Sequence, residues 1–425
     1  MAGAKMASTT ASAGSQLEQC TYGRNLLETI HDSIIRLTAW LEKNNYAGYD
    51  TFDGLNARFL RPLTFENKLL RQVLQQGVRR FPFNLRPLLG VRKSRSTKGM
   101  AFLARGFIRL HALTHDRIWE DRACMALQWL LDNQSPGYSG ACWGNHFDYQ
   151  SRSGFEKQLS PSVVWTSLIG HAFLDAYQQF HDEKYLKTAI SSCQHIERDL
   201  GAYLEGDALC IHYFPTSTHQ VHNANTLGAS LLARTSSYTH SELWRELAAK
   251  AMLYTARYQR KDASWYYGQA ANLHWVDNFH TAYVLDCFHW YGKTASGDLF
   301  DRQMMDGYWY WKKTFFLSNG APRYYNHKTL PLDIQCSSQA IDTLVLFRDR
   351  DPDSLSLAMK VAQWTIDNMQ DPTGYFYYRR YSRWVVNKTP TLHWGQATML
   401  CALAGLYQAL SESVSHSNAF AVATI

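Results

Sequence analysis

The feature that most constrains this chain is a repeat. A Gly/Tyr/Trp-rich loop, a helix with a polar first turn, a short Gly/Ser/Thr/Asp connection and a second, one-sided helix recur about every 55 to 60 residues. The helices after the aromatic loops start near Gly99, Ser162, His222, Asn278, Asp333 and His393. They are rich in Ala, Gly, Ser and Leu and apolar around most of their circumference, as a helix surrounded by protein must be. Their partners open after Asp116, Asp182, Ser241, Asp298 and Asp353, residue types that cap helix N-termini. The segment Arg24 to Lys43 has the same one-sided pattern and supplies a sixth partner from the other end of the chain.

Six buried helices inside six amphipathic ones imply an all-α (α/α)6 toroid, with the N-terminal helix closing the ring. An open solenoid needs polar outer faces on its terminal repeats, and these helices lack them. The expected organisation is a tail over 1–20, one toroid domain over 21–415 and a flexible C-terminal tail over 416–425.

In such a ring all six inner helices begin at one rim, where their free N–H groups and the preceding loops converge on a common hollow. That explains the polar crowd in "LDIQCSSQ" after Pro331, at the start of an otherwise apolar helix. Asp148, Asp277 and Asp333 are the expected carboxylates of the site, with His280 one helical turn from Asp277, and Tyr325 as a candidate base. Trp143, Arg152, His222, Asn223, Trp275, Arg323, Arg383, Asn387, His393, Trp394 and Gln396 are the expected substrate-binding residues. Carboxylates, imidazoles and flat rings around one hollow suit a glycan: an acid and a carboxylate for glycosidic cleavage, or a base beside a uronate with Arg neutralising the enolate. The sequence leaves hydrolase, lyase and epimerase open, and with them a noncatalytic polysaccharide-binding protein.

Composition narrows the classes. The net charge is +7 over 425 residues, and its basic residues are dispersed apart from the run Arg86 to Lys98, which reads as a solvated loop rather than a nucleic-acid surface. No window approaches the roughly 18 apolar residues of a membrane span. Eight scattered cysteines without CxxC spacing fit reduced thiols in a cytoplasmic protein. Neither a metal nor a cofactor is expected, since ligand spacing and phosphate-binding glycine loops are absent.

The runs "WVDNFHTAYVLDCFHWY", "PRYYNHKTLPLDIQCSSQAIDTL" and "GYFYYRRYSRWVVNKTPTLHWGQATM", with "FDYQSR", "VHNAN" and "GYDTFDGL", resemble a family of bacterial proteins associated with polysaccharide biosynthesis, within the six-hairpin glycosidase-like group. The resemblance implies a toroid with a glycan-related role and a polysaccharide, or polysaccharide-assembly machinery, as partner. A fainter likeness to terpene cyclase repeats lies in "ALQWLLDNQSPGYSGACWG" and "WTIDNMQDPTGYFYY", without the DxDD acid of squalene-type cyclases.

Overall fold

A computed structural model describes residues 25–151 and 154–423. The tail over 1–20 and Arg152 lie outside the described residues. Helix α1 spans 25–43; α2 is Lys68–Arg80, α3 Thr97–Thr114, α4 Arg117–Asp132, α5 Val163–Phe180, α6 Glu183–Arg198, α7 His222–Thr239, α8 Glu242–Arg257, α9 Asn278–Tyr291, α10 Asp301–Thr314, α11 Ile334–Leu346, α12 Ser354–Met369 and α13 Thr398–Ala423. The last helix runs past residue 415, where a tail was expected.

The (α/α)6 toroid expected from the sequence is the fold observed. Inner helices α3, α5, α7, α9, α11 and α13 each pack on the next, and α13 packs back on α3, so the ring closes. Leu26, Ile30, Ile34, Leu37 and Leu41 of α1 belong to the same apolar core as all six inner helices. Gln370, at the end of α12, donates to the Ser33 carbonyl at 3.2 Å and accepts from Arg36 at 3.0 Å. The first and last hairpins are thereby joined.

Local chemistry sets the hairpins. Ser96 and Ser162 cap α3 and α5 through their hydroxyls, and Asp277 and Asp333 cap α9 and α11 through their carboxylates. Helices α3, α5 and α7 each end on a histidine in the left-handed region, His115, His181 and His240, with φ of 55°, 55° and 56°. Asp116, Asp182 and Ser241 follow at once and cap the outer helices, so one tight turn is used three times. The fourth outer helix departs from expectation: a π-turn over Gly292–Ser296 delays it to Asp301, and no side chain caps it.

The sequence pattern did not reveal α2. This short helix sits in the long segment between α1 and α3 and lies over the loop of the second hairpin. Gln72 donates to the Ser151 carbonyl at 3.0 Å, and the Gln75 amide oxygen accepts from the Gln150 N–H at 3.1 Å. Arg61 pairs with Asp148, and buried Arg86 pairs with Asp53 at 2.7 Å.

Candidate active site

The inner-helix N-termini carry two Asp–His pairs. In the first, the Asp277 Oδ1 accepts the His280 N–H at 3.0 Å as an N-cap, while Oδ2 lies 2.7 Å from His280 Nδ1 and accepts the Trp275 indole N–H at 2.8 Å. The carboxylate is 2% exposed. In the neutral ring, Nδ1–H donating to Asp277 leaves the lone pair on Nε2; the half-buried ring stands at the wall of a small cavity shared with His222, Asn223, Tyr266 and Tyr267. Asn223 Oδ1 is buried there with no hydrogen-bond partner. The cavity is about 10 Å³, room for one water. Its wall is a self-stacked loop in which Tyr266 lies on His274 at 4.3 Å and Tyr267 on Trp275 at 4.5 Å.

In the second pair, His393 Nδ1 stands 3.0 Å from Asp50 Oδ2, and His393 Nε2 is buried without a partner. Burial, reinforced by the Lys98 charge, pushes the imidazole down to about 4, so it is neutral and donates Nδ1–H to Asp50. Burial works against the Asp50 carboxylate, but the His393 hydrogen bond and the Phe52 N–H win and hold it low. Lys98, driven by burial to about 8, lies 4.3 Å over the Trp165 ring. His146 is likewise lowered by burial.

Between the pairs runs a row of rings: Phe279 lies 4.0 Å from His280 and 5.4 Å from Trp394, which neighbours His393 at 5.4 Å. Trp394 donates its indole N–H to Asp333 Oδ1 at 2.9 Å, and Arg379 closes on Oδ2 at 2.5 Å. Tyr324 senses both sides. Burial pushes its phenol well up, Asp277 and Asp333 add to this, and Arg79 and Arg379 oppose it.

The fold alone is shared with solved enzymes. The chain is 14% identical to unsaturated glucuronyl hydrolase from Bacillus sp. GL1, with TM-score 0.59 over 89% of this chain and 96% of that one. It is 12% identical to a GH76 alpha-mannanase from Bacteroides thetaiotaomicron, with TM-score 0.59 over 76% and 88%. Against cellobiose 2-epimerase from Bacillus thermoamylovorans the values are 11%, 0.56, 74% and 90%. The chain has the six-hairpin toroid fold. No family model and no curated protein matches it, so the fold is shown and the likeness to a polysaccharide-biosynthesis family is not.

The toroid brings together Asp277, His280, His222 and Asn223 at one cavity, Trp275 reaches it through its hydrogen bond to Asp277, and Tyr325 forms a backbone bridge with Asp277. Burial, then the Asp277 charge, pushes the Tyr325 phenol up, which makes it a donor rather than a base. His222 is driven by burial to about 3 and is neutral.

Other expectations need correction. Trp143 is fully buried, gives its indole N–H to the Leu130 carbonyl at 2.9 Å and stacks on Phe173, so it is core. Asn387 and Gln396 are fully buried and spent on backbone: Asn387 on Phe81 and Thr389, Gln396 on Phe376 and Thr391. Asp148 is held by Arg61 and by the Gln158 N–H at 2.8 Å rather than joined to Asp277. Arg383 is exposed at a hairpin tip over Trp384, while Arg379, four residues earlier, takes the carboxylate. Asp333 is therefore one half of a buried ion pair, with every oxygen occupied. Arg323 Nε is buried without a partner.

Asp50, Lys98, Arg379 and Tyr324 were not singled out from the sequence. Asp50 stands in "GYDTFDGL", Lys98 directly precedes the Gly99 helix start, and only strand alternation separates Arg379 from Arg380.

Among the described residues no three His, Cys, Asp or Glu side chains converge as a metal site, and no helix is long and apolar enough to cross a membrane.

Proposed function

We propose that this protein is a carbohydrate-active enzyme that moves a proton at a sugar carbon, as an epimerase, isomerase or lyase does. The observation that carries the reading is the Asp277–His280 pair: a carboxylate fixes the tautomer, leaving Nε2 as base at the cavity wall. In the proposed step Nε2 removes a proton from a carbon beside a carbonyl or carboxylate, and the C–H electron pair passes into an enolate. Reprotonation on the other face gives an epimer; loss of a β-substituent gives an unsaturated sugar. The six-hairpin fold, shared with a sugar epimerase and an unsaturated glucuronyl hydrolase, supports the substrate class.

Glycosidic cleavage is the second reading, favoured by the fold shared with hydrolases. It is less well supported by the carboxylates, because Asp277 and Asp333 already accept hydrogen bonds on both oxygens. A sugar entering beside His280 requires the Tyr266–Trp275 loop to swing outward.

Incubation with neutral and uronate oligosaccharides in deuterium oxide tests this. Solvent deuterium at a sugar carbon, with or without new ultraviolet absorbance of an unsaturated uronate, supports proton transfer. New reducing ends without exchange overturn it in favour of hydrolysis, and binding without either change makes the protein a noncatalytic glycan binder.

A further inference from the structure

The segment between α1 and α3 has a small buried apolar cluster around Ala57 and Val91 and, beyond it, an apolar surface turned to solvent. On α2 the polar residues Arg71 and Gln75 face the protein, Arg71 over the Phe155 ring at 4.1 Å and Gln75 on the Gln150 backbone. Leu69 (66% exposed), Leu70 and Val73 (61%) face solvent. The flanking turns add Phe59, Leu63, Phe65, Phe81, Phe83 and Leu88, all exposed. Isolated exposed apolar residues are ordinary, but nine large ones within about 30 consecutive residues are not. A second element extends the patch: Asn387 of the β-hairpin donates to the Phe81 carbonyl at 2.8 Å, and the tip of that hairpin carries Trp384, 82% exposed, and Val385.

The exposed charge of this segment is mostly basic. Arg58 to Arg95 contains ten basic residues and a single acid, Glu66; Arg71 pairs with Glu66 at 2.8 Å, Arg61 with Asp148 and buried Arg86 with Asp53, which leaves the remaining cations in excess. Arg58, Arg80 and Arg92 are exposed among the apolar side chains, with Arg383 beside Trp384.

The geometry points to an anionic lipid surface as the occupant: α2 lies flat in the headgroup layer, its Leu/Val face and the surrounding Phe residues sunk below, the arginines on lipid phosphates and Trp384 at the interface. A second copy of the chain fits poorly, because a face-to-face pair sets one arginine-rich surface against another. Soluble glycan would use the rings but leave Leu63, Leu69, Leu70, Val73 and Leu88 uncovered. This inference stands apart from the chemistry proposed above, since none of these side chains lines the His280 cavity.

Flotation of the full-length protein with vesicles of phosphatidylglycerol and phosphatidylcholine, against phosphatidylcholine alone, tests it. The protein should float with the anionic vesicles and be released by salt. Leu69→Glu with Val73→Glu should reduce the bound fraction at least tenfold, and Arg80→Glu or Arg92→Glu about fivefold each. These exposed positions should leave the thermal midpoint unchanged, so loss of binding is not loss of fold. Failure to float with anionic vesicles, or equal flotation of the Leu69→Glu/Val73→Glu variant, overturns the proposal. So does a dimer by light scattering that the same variant dissociates, which would assign the patch to self-association.

Discussion

Asp50 and His393 lie 343 positions apart in the chain and meet at 3.0 Å on the rim of the toroid. The pair joins the segment after α1 to the last inner helix, so its protonation state bears on the stability of the closed ring. Burial and Lys98 lower His393 to about 4, against about 6.5 for a free imidazole. The folded state therefore disfavours the proton that the unfolded chain accepts. Stability is full above pH 6.5 and is lost as pH falls from 6.5 to about 4, by about 3 kcal/mol from this residue. Urea midpoints at pH 7, 5.5 and 4 should fall in that order, and His393→Gln should flatten the slope. A variant as acid-sensitive as the wild type would remove His393 as the source.

Asp277 acts through His280. Asp277→Asn retains an acceptor for the N-cap but loses the charge that fixes the imidazole tautomer. Turnover should fall roughly 10²- to 10⁴-fold with KM little changed, and His280→Gln should fall at least as far. Deuterium exchange into the sugar provides the measurement. Loss confined to KM would make the pair a binding contact.

Asp333 answers to a different test. Its partner Arg379 is almost wholly buried and ringed by Tyr324, Tyr378 and Tyr381, with the guanidinium 5.3, 4.8 and 6.0 Å from their centroids. Asp333→Asn leaves that cation without a counter-charge and should cost roughly 3–5 kcal/mol of stability. Asp333→Asn with Arg379→Met should recover much of the loss. If Asp333→Asn keeps its melting temperature and loses only turnover, the carboxylate belongs to the chemistry and not to the fold.

His289 is a buried liability. Its Nε2 has no partner, its ring faces Phe347 at 5.3 Å, and burial drives it down to about 4. His289→Leu removes the orphaned nitrogen with little added volume and should stabilise by about 1–2 kcal/mol. The gain should be larger at pH 5 than at pH 7, because the wild-type imidazole then also pays for staying neutral. An unchanged or lower melting temperature at both pH values would contradict this.

The ring was legible because its signal is repeated: six apolar helices recur at a similar spacing, four of them introduced by a capping Ser or Asp, and give the same message independently. The site was legible where one short segment holds both partners. Asp277 and His280 are a turn apart and Trp275 two residues before, so helical periodicity alone brings them together. Where partners come from distant segments the sequence is silent. Nothing near Asp333 announces Arg379, and Arg383 has the same residue type in the same hairpin. Trp143 misled because aromatic loop residues serve two ends: its ring points outward to Leu130, into the seam between α4 and α5. Helix α2 escaped because it mixes the two faces: Leu69, Leu70 and Val73 are exposed while Arg71 and Gln75 are buried beside Val78, which blurs the pattern that marks a helix packed on a core.

Closure of the ring has its own weak point at Gly374. Its φ of +108° is open to glycine and strained for other residues, and a Cβ there would lie 2.2 Å from the Arg36 carbonyl oxygen of α1. The same turn carries the Gly374 carbonyl that accepts from the Gln370 side chain at 2.9 Å, and Gln370 also reaches Arg36 and Ser33. Gly374→Ala should therefore push α1 off the end of α12 and cost several kcal/mol, more than an ordinary surface change. Because α1 is the outer partner of the last inner helix, the damage should appear first there. Hydrogen exchange should show α1 and α13 losing protection while α5 to α8, on the other side of the ring, keep theirs. Uniform loss across all six hairpins would mean that the ring unfolds as one unit and that closure at Gly374 is no separate step. Unchanged protection in α1 would show that the turn relaxes around the added methyl group.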